Sequence, residues 1–173
     1  LLRWISPILS FTAEEAYLLL EDSSDSVHLL EWFEKWHDYG DLEISDNEWN
    51  EILEIRSEVN KHIENARNDE IIGSSLDASL ELYCNDSLKR LLDKFSEELR
   101  FIFITSEVRV ISSDKGRETA IPGLRVRVTK CDYEKCVRCW HRRPDVGQVS
   151  QHELLCERCY QNVEGQGEVR LYV

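Results

Sequence analysis

The sequence contains no methionine and no uninterrupted apolar run near the roughly 18 residues that a membrane helix requires. Its N-terminus has neither the basic start nor the small-residue cleavage site of a secretory signal. No membrane partner is expected, and a cytoplasmic location is. A chain that opens on Leu1-Leu2-Arg3-Trp4 with no methionine anywhere is expected to be a piece of something longer. Cysteine is too scarce for a scaffold built on disulfides: there are six in 173 residues, and four of them form two C-x-x-C pairs. In a reducing compartment that pattern points to metal before disulfide. Basic charge is also short. With 21 Lys/Arg against 34 Asp/Glu the net charge is -13, which at first sight argues against a nucleic-acid partner. The distribution alters that reading, because residues 1–60 hold 15 Asp/Glu against 3 Lys/Arg, whereas residues 61–130 hold 12 of each. The acidic excess reads as a solvated face of the first third, and the rest is left free to meet RNA.

Hydrophobic residues make up 42% of the chain, enough for a real core. Ile5, Ile8, Leu9, Ala16 and Leu19 follow helical spacing, interrupted by Pro7, and Thr12-Ala13-Glu14-Glu15 has the form of a capping box that restarts a helix. Two short helical pieces are expected there, a loop over 22–27, and a short helix or irregular packed stretch over 29–37. Ser45 and Glu48 form a second capping box ahead of Trp49, Ile52, Leu53, Val59 and Ile63, which predicts a helix running to about Arg67. After Gly73 the period changes to two, with Leu76, Ala78, Leu80, Leu82 and Cys84 describing a half-buried strand. Leu88, Leu91, Leu92, Phe95 and Leu99 predict another helix, and Phe101 to Ile111 and Leu124 to Thr129 two further strands. The fold class is therefore α+β, a helical segment followed by a small mixed α/β subdomain and a C-terminal four-cysteine module. The expected divisions are 1–70, 71–130 and 131–173.

Cys136-Val137-Arg138-Cys139, sixteen residues, then Cys156-Glu157-Arg158-Cys159 is the strongest chemical signal. Each pair can form a knuckle whose two sulfurs converge, and two knuckles supply the four thiolates of a closed tetrahedral zinc site with no position left for a catalytic water. One structural Zn2+ is expected, supplying much of the folding free energy of a segment with few apolar residues. A redox dithiol or two disulfides are the rival readings. Cys131, His141 and His152 are conceivable rival ligands, although none has a partner at knuckle spacing. Cys84 reads as a small buried hydrophobe.

Arg138, Trp140, His141, Arg142 and Arg143 sit on and just after the first knuckle. On one reading the guanidiniums offset the negative charge of a four-thiolate zinc centre and Trp140 caps a small core. On the other, a ring and guanidinium forks held out on a rigid knuckle stack on unpaired bases and bind phosphates. Arg125 and Arg127 alternate with Val126 and Val128 and read as a solvated strand face.

The run from Leu1 to Tyr17 resembles the late helices of the anticodon-binding bundle in class I synthetases for branched aliphatic amino acids. Glu58-Val59-Asn60-Lys61, Glu64-Asn65-Ala66-Arg67 and Ile72-Gly73-Ser74-Ser75-Leu76-Asp77-Ala78 resemble the stretch that follows it. Cys136-Val137-Arg138-Cys139-Trp140-His141 with Cys156 and Cys159 resembles the C-terminal zinc module of bacterial isoleucyl-tRNA synthetases, whose valine relative ends instead in a coiled-coil arm. The resemblance implies that the four cysteines are zinc ligands and that Arg138 and Trp140 lie near the anticodon loop of bound isoleucine tRNA. It also implies a monomeric, cytoplasmic parent that joins isoleucine to tRNA using ATP. The ATP-binding signatures and editing domain of that family are absent from these residues, so they would not perform the reaction alone. Two other readings stay open. One is a DNA-glycosylase-type zinc finger, which needs an N-terminal proline and a basic body that this chain does not offer. The other is a zinc-ribbon interaction module without RNA, favoured by the net charge.

Overall fold

Ser45 and Glu48 start the longest element. In the computed structural model the Glu48 N–H donates to the Ser45 hydroxyl at 3.3 Å while the Ser45 N–H donates back to the Glu48 carboxylate at 2.9 Å, the reciprocal cap expected from the sequence. Lys94 also hydrogen-bonds that carboxylate and, with both Ser45 donors, holds its pKa down at about 2. The structure describes residues 1–21, 25–32, 43–113, 115–170 and 172. Its elements in order are α1 (Leu2–Ile5), α2 (Ser10–Glu21), α3 (Asp46–Asn68), β1 (Ala78–Cys84), α4 (Asp86–Phe95), α5 (Leu99–Phe103), β2 (Glu107–Ser112), β3 (Arg117–Glu118), β4 (Leu124–Lys130) and α6 (Glu157–Glu164). Among these no helix is long and apolar enough to cross a membrane.

The strands form one mixed sheet in the order β2-β1-β4-β3, with β1 parallel to β2 and antiparallel to β4. Helices α4 and α5 make the crossover from β1 to β2. The register sets Leu80 opposite Val108 and Val128, and Leu82 opposite Val110 and Val126, so these side chains share one face. Against that face pack Ile52, Ile55, Val59 and Ile63 of α3 and Leu88, Leu91, Leu92 and Phe95 of α4. The opposite face carries Glu81 paired with Arg127 at 3.4 Å and Glu107 with Arg109 at 2.8 Å.

Several expectations change. Strand β1 is buried at six of seven positions rather than half-buried, because it is central and the long polar side chains around it cover Ser79 and Tyr83. Leu76 sits in a turn before the strand. The apolar run Phe101-Ile102-Phe103, read as strand, is helical: Leu99, Ile102 and Phe103 are spaced three and four apart and all point inward. The helix expected over 88–99 breaks at Ser96, whose φ is +41. Helix α2 begins at Ser10 and ignores the box at Thr12. Glu14 instead accepts from the Ser26 hydroxyl at 3.0 Å and the Val27 N–H at 2.9 Å. The element expected over 29–37 lies largely outside the described residues. Compact units run Leu1–Glu43 and Ile44–Val173, so α3 shares a core with the sheet, whereas the sequence reading joined it to the first helices.

Candidate metal centre and nucleic-acid interface

The first knuckle is a tight turn closed by an antiparallel bridge between Lys135 and Arg142. Cys136 N–H donates to the His141 carbonyl at 2.9 Å, and Trp140 N–H to the Cys136 carbonyl at 2.9 Å. The second knuckle runs into α6, a helix that the sequence reading did not anticipate. Val137 N–H donates to the Leu154 carbonyl at 3.1 Å and Cys156 N–H reaches the Cys136 sulfur at 3.4 Å, which lays the two knuckles against each other.

Their four sulfurs, from Cys136, Cys139, Cys156 and Cys159, all lie within 4.8 Å of one another, and three of these cysteines are buried. Cys139 and Cys156 Sγ are 3.7 Å apart. A disulfide would bring them to about 2.05 Å, whereas Zn–S bonds of about 2.3 Å imply a tetrahedral edge of about 3.8 Å. At this separation one thiol depresses its neighbour's pKa and is itself pushed up, as for Cys139 and Cys156, because a hydrogen bond between them favours one thiolate and one thiol. A divalent cation removes that competition. The residues fit zinc, which would supply a cross-link between the knuckles. Among the described residues only Val146 and Leu155 join the cysteines in this cluster, so little apolar burial is available to replace it.

The rival ligands lie outside the group. Cys131 is buried with its sulfur 3.9 Å from the Arg142 carbonyl, and His152 faces Glu164 at 3.5 Å. The five side chains following the first knuckle separate by environment. Trp140 is 59% exposed, at φ +66, with Lys135 over its ring. Arg138 is exposed and places a guanidinium nitrogen 3.6 Å from Cys159 Sγ. His141 is buried edge-on to Phe101, with centroids 5.7 Å apart. Arg142 donates to the Asp77 carboxylate at 2.8 Å and to the Tyr133 carbonyl at 3.1 Å, and its backbone N–H donates to Ser106 Oγ at 2.6 Å. Arg143 lies 3.4 Å from Asp145. Two of the five therefore face solvent freely, while Arg142 straps the module to the sheet. Arg125 and Arg127 pair with Glu118 and Glu81 on the polar sheet face.

The structure also brings up residues that the sequence reading passed over. Phe101 carries the guanidiniums of Arg100, Arg158 and Arg170 within 4.9 Å of its centroid. Arg158 occupies the same place in the second knuckle as Arg138 in the first, directly before the last cysteine, and that repetition was a usable signal. Nothing local marked Arg100 or Phe101.

Residues 1–82 match a family described as the anticodon-binding domain of tRNA ligase, and residues 134–162 one described as a zinc finger found in FPG and IleRS. Among curated proteins the chain is 43% identical to an isoleucine–tRNA ligase of Shewanella woodyi, aligned over 99% of this chain and 19% of the relative. It is 44% identical to one of Acinetobacter baylyi over 98% of this chain and 18% of the relative, and 42% identical to one of Idiomarina loihiensis over 99% and 19%. The chain thus spans about a fifth of the length of the relatives it matches.

Proposed function

From the premise that this chain belongs to the isoleucine–tRNA ligase family through its anticodon-binding and zinc-finger region, we propose that it is the part of such an enzyme that holds the anticodon side of isoleucine tRNA. Cys136, Cys139, Cys156 and Cys159 bind one structural zinc, and Arg138 and Trp140 are the side chains that engage RNA. The activity of the larger protein, ligation of isoleucine to tRNA with ATP in the cytoplasm by a monomer, rests on chemistry outside these residues. The expected division of labour is helical anticodon contact over 1–70, a connecting subdomain over 71–130 and zinc module over 131–173, a division of roles that cuts across the compact units because α3 contributes to the sheet's core.

The observation that carries the reading is the pairing of a closed four-sulfur cluster with an exposed indole and guanidinium on its rim. Metal fixes the knuckle, so an aromatic ring can be presented for stacking with little loss of freedom on binding. The test is a titration of labelled isoleucine tRNA with the zinc-loaded chain at low and moderate salt. Weak binding that falls steeply with salt is expected, because few phosphate contacts act against a net charge of -13. Absence of binding at low salt would favour the RNA-free zinc module instead.

A further inference from the structure

Beside the knuckles, between α5 and the start of α6, lies a cavity of about 380 Å³ lined by Arg100, Arg143, Arg158 and His141 and, on the knuckle side, by the cluster cysteines Cys139 and Cys156. A second cavity of about 270 Å³ adjoins it and shares Arg100, Arg143 and Pro144. Together they form a trough whose shared lining holds Arg100 and Arg143, in a chain whose net charge is strongly negative. We infer that this trough binds a phosphate of an RNA backbone, with the Arg100, Arg143 and Arg158 guanidiniums as its donors. The inference rests on the proposed tRNA-holding role and extends it to a second contact beside the knuckle rim.

The donors are held in place before any ligand arrives. Arg100 and Arg158 lie over the Phe101 ring at 4.8 and 4.9 Å, and Glu168 anchors Arg158 Nε at 2.7 Å, leaving the rest of the fork available. Each of the three arginines has one carboxylate neighbour, Glu97, Asp145 and Glu168 respectively, so what is left for a ligand is the guanidinium nitrogens those pairs do not use. Burial, together with Arg143 and Arg158, pushes the Arg100 pKa below the usual arginine value, and its carboxylate neighbour Glu97 is a largely exposed group 3.2 Å away. His141 adds a buried Nε2 with no hydrogen-bond partner among the described residues. Two acids also line the first cavity: Asp145 accepts from the Glu157 N–H at 2.6 Å through Oδ2 and faces Arg143 Nε at 3.4 Å through Oδ1, and Glu157 accepts from Gln161 at 2.7 Å. The rival anion is the thiolate cluster itself. Among the described residues the guanidinium hydrogen-bonded to a cysteine sulfur is that of Arg138, and the three trough arginines make no such bond. Planar forks converging on a cavity suit a phosphate, whose oxygens accept in pairs.

The experiment uses the zinc-loaded chain, Arg100→Gln, Arg100→Lys and Trp140→Ala, with zinc content measured in each. Inorganic phosphate is titrated while the arginine Nε–H signals are followed by NMR, and tRNA binding is measured across salt concentrations. Saturable shifts at Arg100, Arg143 and Arg158 are expected, competed away by tRNA. Arg100→Gln should lose roughly tenfold in tRNA affinity and flatten the logarithmic salt slope by about 0.7 to 0.9, with Arg100→Lys recovering part of the slope. Unmoved signals overturn the site. So does tRNA binding by Arg100→Gln that equals wild type while Trp140→Ala weakens it, a result that leaves the tRNA-holding role standing. Zinc loss in Arg100→Gln and Arg100→Lys alike assigns the arginine to the metal and also overturns the site. A wild-type chain that ignores tRNA removes both readings at once.

Discussion

Trp140 combines two properties that rarely coincide, a large exposed ring and a backbone in the left-handed region at φ +66. Glycine takes that conformation without strain, whereas a side chain costs about 1 kcal/mol. Trp140→Gly should therefore be about 1 kcal/mol more stable than Trp140→Ala in chemical denaturation, while both lose about one to two powers of ten in tRNA affinity, the worth of one stacked base. A ring kept only to complete the module would make both variants clearly less stable than wild type while leaving tRNA affinity unchanged. At this scale the sequence was informative about ligand chemistry and poor about direction. Two C-x-x-C pairs specify converging sulfurs through local geometry. Whether Arg138, His141 or Arg142 faces solvent depends on Phe101, Asp77 and Ser106, which lie far away in the chain and have no periodic relation to the knuckles.

Elements were legible where local signals agreed. Helix α3 begins at the Ser45 box, and α4 buries Leu88, Leu91, Leu92 and Phe95, as their spacing demands. Ser45→Ala should cost about 1 kcal/mol of stability, read as a lowered denaturation midpoint with unchanged slope. Where two periods overlap the reading failed. Phe101 to Phe103 is a short apolar run, and only the three- and four-residue spacing from Leu99 distinguishes helix from strand. A central strand also looks half-buried in sequence when its second face is covered by arginines and a tyrosine. The turn before β1 carries a further test. Asp77 accepts from Arg142 and Ser74, and chiefly the Arg142 hydrogen bond lowers its pKa. A folded-state pKa below the unfolded one adds stability that is present above the ordinary aspartate range, near pH 4, and is lost as pH falls through the depressed value. Asp77→Asn should thus destabilise the chain at neutral pH and shrink the acid limb of a stability-against-pH curve. An identical acid limb in wild type and variant would show the pair to be idle.

In the whole molecule, the larger unit has a continuous core and the first unit has little. Among the described residues of Leu1–Glu43 the buried ones are Ser6, Ala13 and Val27, while Phe11 is 92% exposed and Leu19 80%. A helix apolar around most of its circumference is usually buried by neighbours, and the chain covers about a fifth of its relatives' length. The run Leu18-Leu19-Leu20 carries that pattern in the sequence, and reading the first third as an acidic solvated face passed over it. The Arg142 strap between knuckle and sheet continues as a relay of hydrogen bonds. The Arg142 N–H donates to Ser106 Oγ, that hydroxyl donates to the Leu76 carbonyl, Ser106 N–H to Ala78, and Cys131 N–H to Asp77. The knuckle and the near end of the sheet therefore share a boundary without sharing a core. Stripping the metal with a chelator should speed amide hydrogen exchange at Cys136, Trp140, Cys131 and Ser106, whereas Leu82 and Val126 in the sheet interior stay slow. Uniform acceleration along the chain would mean that metal holds the entire unit. A graded response would make the larger unit two cooperative folding units joined by a soft seam, with metal occupancy sensed at the sheet's end as a change in opening rate rather than in shape.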